Sequence, residues 1–288
     1  MGRHGGRQRY RAATADARAW RLARGPKRCR LRQHPRLRGA VAAKLAADWS
    51  PEQIAGWLRV TYPDTPAMQV SHETIYRSLF VQSRGVLKKI LLTHLRRRRT
   101  MRRSQHATNV GQRRGAIVDA ISIRDRPANV DDRAVPGHWE GDLVAGARNT
   151  HVATLVERQS RYLMLVHVGG KDTTSVVQGL TRQVRTLPRK LMTTLTWHRG
   201  TELAAHKRFT VATDVQVYFC DPHSPWQHGS NENTNGLLRQ YFPEGTDLST
   251  YSQADLNRIA KRLNHRPRKT LGYKTPADML AAIVASTV

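Results

Sequence analysis

Three apolar runs follow one another between residues 138 and 168 with only short turns between them, and that succession admits few folds. His138 to Val144, Val152 to Glu157 and Tyr162 to Val168 each have strand length and strand composition. Turns such as Gln159-Ser160 leave no room for a crossover, so the three runs are expected to form an antiparallel meander. The rhythm then changes. Thr173 to Leu187 carries Val176, Val177, Leu180 and Val184 at helical spacing. A fourth strand is expected over Leu191 to Trp197, a helix over Glu202 to Ala212, and a fifth strand over Val215 to Phe219. Helical pattern resumes at Ser230 and runs through Leu237 and Leu238; helices over about 252–264 and 275–285 close the chain. The expected fold class is α/β.

The front half is built differently. Residues 1–114 hold 27 Lys and Arg against 5 Asp and Glu, and the remainder holds 22 against 16. The whole chain has a formal net charge of +28, an excess that folds against its own repulsion and usually faces a polyanion. Nucleic acid is the first candidate and an anionic membrane surface its competitor. No apolar stretch reaches the roughly 18 residues that span a bilayer, and MGRHGGRQRY has no apolar segment of the kind a secretory signal needs. Cys29 and Cys220 are the only cysteines, so neither a disulfide framework nor a CxxC zinc site is available, and a cytoplasmic protein is expected.

Residues 1–38 read as a basic arm in which arginines from Arg7 to Arg28 fall near helical spacings; the plain alternative is a solvated arm. Residues 39–95 read as a helical unit. Ser50-Pro51-Glu52-Gln53 is a helix start with Ser50 as cap, Pro51 in the first turn and Gln53 closing a capping box. Ile54, Trp57 and Leu58 give that helix one apolar face. After the breaker Tyr62-Pro63-Asp64-Thr65-Pro66, a second helix starts at Ser71. Ile75, Leu79 and Phe80 are expected inside, with His72, Glu73, Tyr76 and Arg77 outside. Two short helices around a loop, the second polar on its free side, make a helix-turn-helix variant; an ordinary helical hairpin has the same outline. On the first reading Ser71, His72, Thr74, Tyr76 and Arg77 face DNA. Arg96, Arg97, Arg98 and Arg99 open a basic linker over 96–130, suited to phosphate contacts that carry no sequence information. The remaining unit is residues 131–288.

Three antiparallel strands followed by alternating helices and strands is the order of a ribonuclease-H-like core, although several α/β folds share pieces of it. Two-metal phosphoryl transfer needs carboxylates converging from different elements onto cations roughly 3.5–4 Å apart. Asp142 lies in the first strand and Glu232 opens the helix after the fifth. A third acid is wanted at the end of the fourth strand, where the sequence has Thr196-Trp197-His198-Arg199-Gly200.

These positions sit in three runs: His138-Trp139-Glu140-Gly141-Asp142-Leu143, Leu195 to Glu202, and Tyr218 to Leu237 with its Cys220-Asp221-Pro222-His223-Ser224-Pro225-Trp226 and Asn231-Glu232-Asn233-Thr234-Asn235-Gly236. Together with Asn264-His265-Arg266-Pro267-Arg268, they resemble transposases of the insertion-sequence-thirty family over nearly the whole chain. The resemblance implies a retroviral-integrase-type core with a five-stranded mixed sheet. It implies a DDE enzyme that cuts element ends and joins 3′ hydroxyls to target DNA. It implies two Mg2+ ions, with Mn2+ as a substitute, and a homo-oligomer on double-stranded DNA bearing terminal inverted repeats. Asp142 matches the family's first catalytic Asp and Glu232 its Glu.

Two departures stand out. The family has Asp where this chain has His198, a position fixed by the 33 residues between it and Glu232. Histidine offers one neutral nitrogen in place of a charged oxygen ligand, so weak Mg2+ occupancy and reduced catalysis are expected, with Mn2+ restoring part of it. Glu202 and Asp221 are the neighbouring acids available to compensate. The family also carries a further DNA-binding module ahead of the Gly5-Gly6-Arg7 stretch, which makes residues 1–38 resemble the remnant of one. The alternative function is a catalytically inactive DNA-binding protein that represses, or inhibits a related active transposase.

Overall fold

The computed structural model describes residues 11–24, 29–80, 87, 91, 94–95, 120–126, 135–198, 201–221 and 229–287. Its sheet contains β1 (His138–Ala145), β2 (His151–Glu157), β3 (Leu163–His167), β4 (Thr194–Trp197) and β5 (Gln216–Phe219), in the order β3-β2-β1-β4-β5. β1 pairs antiparallel with β2, and β2 with β3, as the short turns require. β4 joins β1 in parallel and β5 joins β4 in parallel. Those pairings need crossovers, supplied by α6 (Thr173–Val184) and α7 (His206–Thr213). The result is the mixed five-stranded sheet of an integrase-type, ribonuclease-H-like core.

Strand periodicity decides what each face buries. Trp139, Leu143, Leu155, Leu195 and Trp197 pack with Val176 and Leu180 of α6 and Phe209 of α7. The opposite face buries Val144, Val152, Val156 and Leu165 against Leu238, Leu256 and Leu263, carried by α8 (Gly229–Leu238) and α9 (Gln253–Asn264). On β1 that second face also holds Glu140 and Asp142, so the strand's alternation turns its two acids toward α8.

Gly141 lies between those acids on the other side, paired with Trp197. A Cβ there would stand 2.5 Å from the Trp197 ring, which is fully buried. Gly141→Ala is therefore expected to destabilise the core by about 1–3 kcal/mol through overpacking, read as a lower urea midpoint at unchanged slope.

The fourth and fifth strands are shorter than their apolar runs suggest. Leu191 closes a single 3-10 turn (Arg189–Leu191), and its carbonyl accepts from the Trp139 indole at 2.7 Å. Leu191 and Met192 are apolar because they are buried in the segment leading into β4, not because they pair in the sheet. The helix expected over Glu202 to Ala212 divides into a 3-10 turn, Thr201–Leu203, and α7.

Among the described residues of the front half, the longer elements are helices: α1 (Ala12–Arg24), α2 (Arg30–Gln33), α3 (Pro35–Ala46), α4 (Pro51–Thr61) and α5 (His72–Phe80). The capping box forms as read: the Ser50 hydroxyl accepts from Gln53 N at 3.2 Å and Gln53 Oε1 accepts from Ser50 N at 2.9 Å. The Ser71 hydroxyl likewise accepts from Thr74 N at 3.2 Å. Leu31 and Leu37 are buried with Val41, Leu45, Ile54, Leu58, Ile75 and Leu79, so packing begins before residue 39. Phe80, expected inside, is 41% exposed and stacks on Tyr76.

This helical unit rests on the C-terminal part of the core. Asp48, in a left-handed turn at φ 63°, accepts from Tyr241 Oη at 3.2 Å and Arg262 Nη2 at 2.6 Å, and stands 2.8 Å from His94 Nδ1. Gln53 Nε2 donates to the Pro267 carbonyl at 3.0 Å. The last helix is α10 (Pro276–Thr287). No helix among the described residues is long and apolar enough to cross a membrane.

Candidate active site

The parallel register of β1 and β4 sets His198, the first residue beyond β4, next to Asp142: His198 N donates to the Gly141 carbonyl at 3.3 Å. Asp142 is half-buried. Its Oδ1 accepts from Leu143 N at 2.8 Å and its Oδ2 from Asn235 Nδ2 at 3.1 Å. Asn235 lies one helical turn after Glu232 on α8, so the bond that holds Asp142 also orients the face from which exposed Glu232 projects. Asp142, His198 and Glu232 thus come to the same end of the sheet.

Electrostatics ties them together. Burial pushes the Asp142 carboxyl above its ordinary value; His198 opposes the rise, and the carboxylates of Glu202 and Glu232 add to it. Of the two acids available to compensate at position 198, Glu202 therefore acts on Asp142. Asp221 is engaged elsewhere, 3.0 Å from Arg124 Nε and accepting from the Ser122 hydroxyl.

Among the described residues, no three His, Cys, Asp or Glu side chains stand close enough together to form a ready-made cation cage. The donor set still fits a hard divalent cation. It offers oxygens from Asp142 and Glu232, a crowded negative charge that a cation relieves, and one imidazole where a third carboxylate is wanted.

The raised Asp142 carboxyl has a consequence for stability. The folded chain holds this proton to higher pH than the unfolded chain, so ionised Asp142 costs stability, and the cost disappears as pH falls into the ordinary aspartate range. Lowering pH from about 7 to about 4 is expected to stabilise the natural chain relative to Asp142→Asn. Paired urea titrations at each pH check the sign.

Motif reading missed the residues that hold α8 in place. Glu140 is fully buried, and its Oε2 accepts from Ser230 N and Asn231 N, both at 3.1 Å. These are first-turn amides with no partner inside the helix, and a carboxylate there also meets the positive end of the helix dipole. Glu140 Oε1 lies 3.2 Å from Nε of Arg158, itself 6% exposed at the side chain. The Thr154 hydroxyl of β2 donates to Asn231 Oδ1 at 2.9 Å, and Arg161 donates to the Ser230 hydroxyl. The available signal was an acid at a strand position two before Asp142, on the same face.

The expected DNA-facing side chains on α5 divide. His72 and Arg77 are exposed, with Arg77 3.4 Å from Glu73; Thr74 and Tyr76 are half-buried, and the Ser71 hydroxyl caps the helix and contacts the Thr74 hydroxyl at 2.9 Å. Arg96, Arg97, Arg98 and Arg99 lie outside the described residues, as do Arg199, Gly200 and the segment 222–228.

Comparison with known proteins decides the family. Residues 132–225 match the integrase core domain. The transposase InsI for insertion sequence element IS30A of Escherichia coli (strain K12) is 50% identical over 286 residues, covering 99% of this chain and 75% of the relative. The chain belongs to the IS30 family of insertion-sequence transposases. The transposase for IS1086 of Cupriavidus metallidurans is 48% identical over 249 residues (86% of this chain, 73% of the relative). The transposase for IS4351 of Bacteroides fragilis is 34% identical over 253 residues, again covering 87% of this chain and 74% of the relative. As a member of this family the transposase is a polynucleotidyl transferase by class, and DNA is what it acts on.

Proposed function

We propose that this transposase binds the terminal inverted repeats of its element through residues near 50–80 and cleaves and joins DNA strands at Asp142 and Glu232, with His198 impairing the site. The observation that carries the reading is the bond from Asn235 to Asp142, which ties β1 to the helix bearing Glu232. Asp142 and Glu232 would hold divalent cation, Mg2+ or Mn2+, whose charge neutralises the phosphoryl oxygens and activates the attacking one. Asn235 Nδ2 and Leu143 N each donate to one Asp142 oxygen and so fix the orientation of the carboxylate. Glu140 holds α8 against β1 and so keeps Glu232 near Asp142. His198 contributes one nitrogen, and Glu202 supplies negative charge beside it.

On this reading α4 and α5 form the helix-turn-helix unit, with His72 and Arg77 reaching DNA and the 96–130 linker, including Arg96 to Arg99, following phosphates. Strand joining between two ends and a target calls for a homo-oligomer assembled on DNA in the cytoplasm, at the nucleoid. His198 favours a second reading, in which the chain binds element ends without cutting them and thereby represses or poisons an active relative.

The test uses the full chain carrying His198→Asp, on duplexes with the element's ends. Adding Asp142→Asn or Glu232→Gln is expected to abolish strand joining while gel-shift affinity stays within about twofold, since neither carboxylate contributes favourably to phosphate binding. Joining that survives either change contradicts the assignment.

A further inference from the structure

We infer that the groove between α6 and α7 is a docking track for a duplex DNA backbone that leads away from the catalytic carboxylates. The groove encloses about 680 Å³. Along α6 and its C-cap it is lined by Thr174, Val177, Gln178, Thr181, Arg182 and Arg185, whose three- and four-residue spacings from turn to turn set them along one broad helical face. Across from them, Arg208 rises from α7 between Ala205 and Ala212, whose small side chains leave the channel open.

Its chemistry is one-sided. Three arginines line the groove and no acid does. None of the three is in an ion pair among the described residues; Arg185 makes one bond, to the Ala212 carbonyl at 3.1 Å. The Thr181 hydroxyl oxygen is buried beside them without a hydrogen-bond partner. The basic cleft along α9 differs: there Arg258 is paired with Asp255, and Arg262 with Asp48. Unneutralised guanidinium groups in a row, flanked by hydroxyl and amide groups, suit phosphate oxygens spaced along a chain.

Length and position favour a duplex. The stripe from Thr174 to Arg185 covers about 17 Å at helical rise, roughly five base-pair steps of 3.4 Å. Ala205 is the N-cap of α7 and follows Glu202 by three residues, and the turn carrying Glu202 packs against α6. One end of the track therefore meets the catalytic end of the sheet. Contacts of this kind position DNA without reading its sequence. The inference rests on the reading that this chain binds DNA, but it does not require catalysis.

The experiment measures binding of the full chain to a scrambled duplex across a salt series, with Arg182→Ala/Arg208→Ala and Arg182→Lys/Arg208→Lys beside the natural chain. Both arginines are exposed, so thermal melting is expected to stay unchanged. Losing two phosphate contacts should flatten the slope of log affinity against log salt by about 1.8, and the lysine pair should restore it. Modification by phenylglyoxal, mapped by mass spectrometry, should show Arg182, Arg185 and Arg208 protected by duplex. An unchanged slope, equal modification with and without duplex, or protection by anionic vesicles alone overturns the track while leaving the terminal-repeat reading intact. Failure of the natural chain to bind any duplex overturns both.

Discussion

Glu140→Gln is expected to lower the unfolding free energy by about 3 kcal/mol, the usual scale for removing one partner of a buried ion pair. Glutamine keeps an acceptor for Ser230 N and Asn231 N, so the first turn of α8 retains its hydrogen bonds. It removes the charge that balances Arg158 in a site with almost no solvent access. It also removes the anion at the positive end of the helix. The loss should appear in urea denaturation as a lower midpoint. It should carry a second signature: divalent cation should raise the melting temperature less than in the natural chain, because α8 no longer holds Glu232 firmly beside Asp142. Replacing the pair together, as Glu140→Gln/Arg158→Met, should recover much of the stability by removing the unbalanced charge, without recovering the cation response. A Glu140→Gln protein of natural stability and natural cation response would show that the buried pair does not fix this helix.

His198→Asp is expected to move two quantities in opposite directions. Without cation, a further carboxylate enters a place where Glu202 and Glu232 already push the Asp142 carboxyl up, so stability should fall slightly and Asp142 should hold its proton more tightly. With divalent cation, the added oxygen ligand should strengthen occupancy and reverse that loss. Completing a cation clamp is worth several kcal/mol of transition-state stabilisation, so strand joining should rise about a thousandfold. The gain should be larger in Mg2+ than in Mn2+, since Mn2+ tolerates an imidazole ligand better and leaves less to restore. A stability curve that does not respond to cation in either protein would place the carboxylates outside any metal site.

Much of this architecture was legible in the sequence because local physics dictated it. Alternation along His138 to Ala145 set the two faces of β1, and the short turn at Gln159-Ser160 forced the meander. The Ser50 and Ser71 caps announced the starts of α4 and α5. Asp142 and Glu232 stand out as candidates because their surrounding runs are distinctive. Glu140 could not, because an acid in a strand looks the same whether it faces water or caps a helix 90 residues away in sequence. Asn235 was hidden for a similar reason: its bond to Asp142 exists only once α8 lies across β1. The early start of the helical unit was masked by the arginines around Leu31 and Leu37, which read as an arm until their neighbours bury them. Phe80 falls on the rim of the α5 apolar face, where stacking on Tyr76 replaces burial. At Leu191 and Met192, apolar character reflects burial ahead of β4, and sequence alone does not separate that from pairing.

The role of position 198 is read from metal-dependent strand transfer on DNA carrying the element's own ends, comparing the natural chain with His198→Asp in Mg2+ and in Mn2+. The natural chain is expected to bind the ends but join few or none in Mg2+, and the His198→Asp chain to join them efficiently. Efficient joining by the natural chain in Mg2+, at the level of His198→Asp, would contradict the claim that position 198 impairs the site.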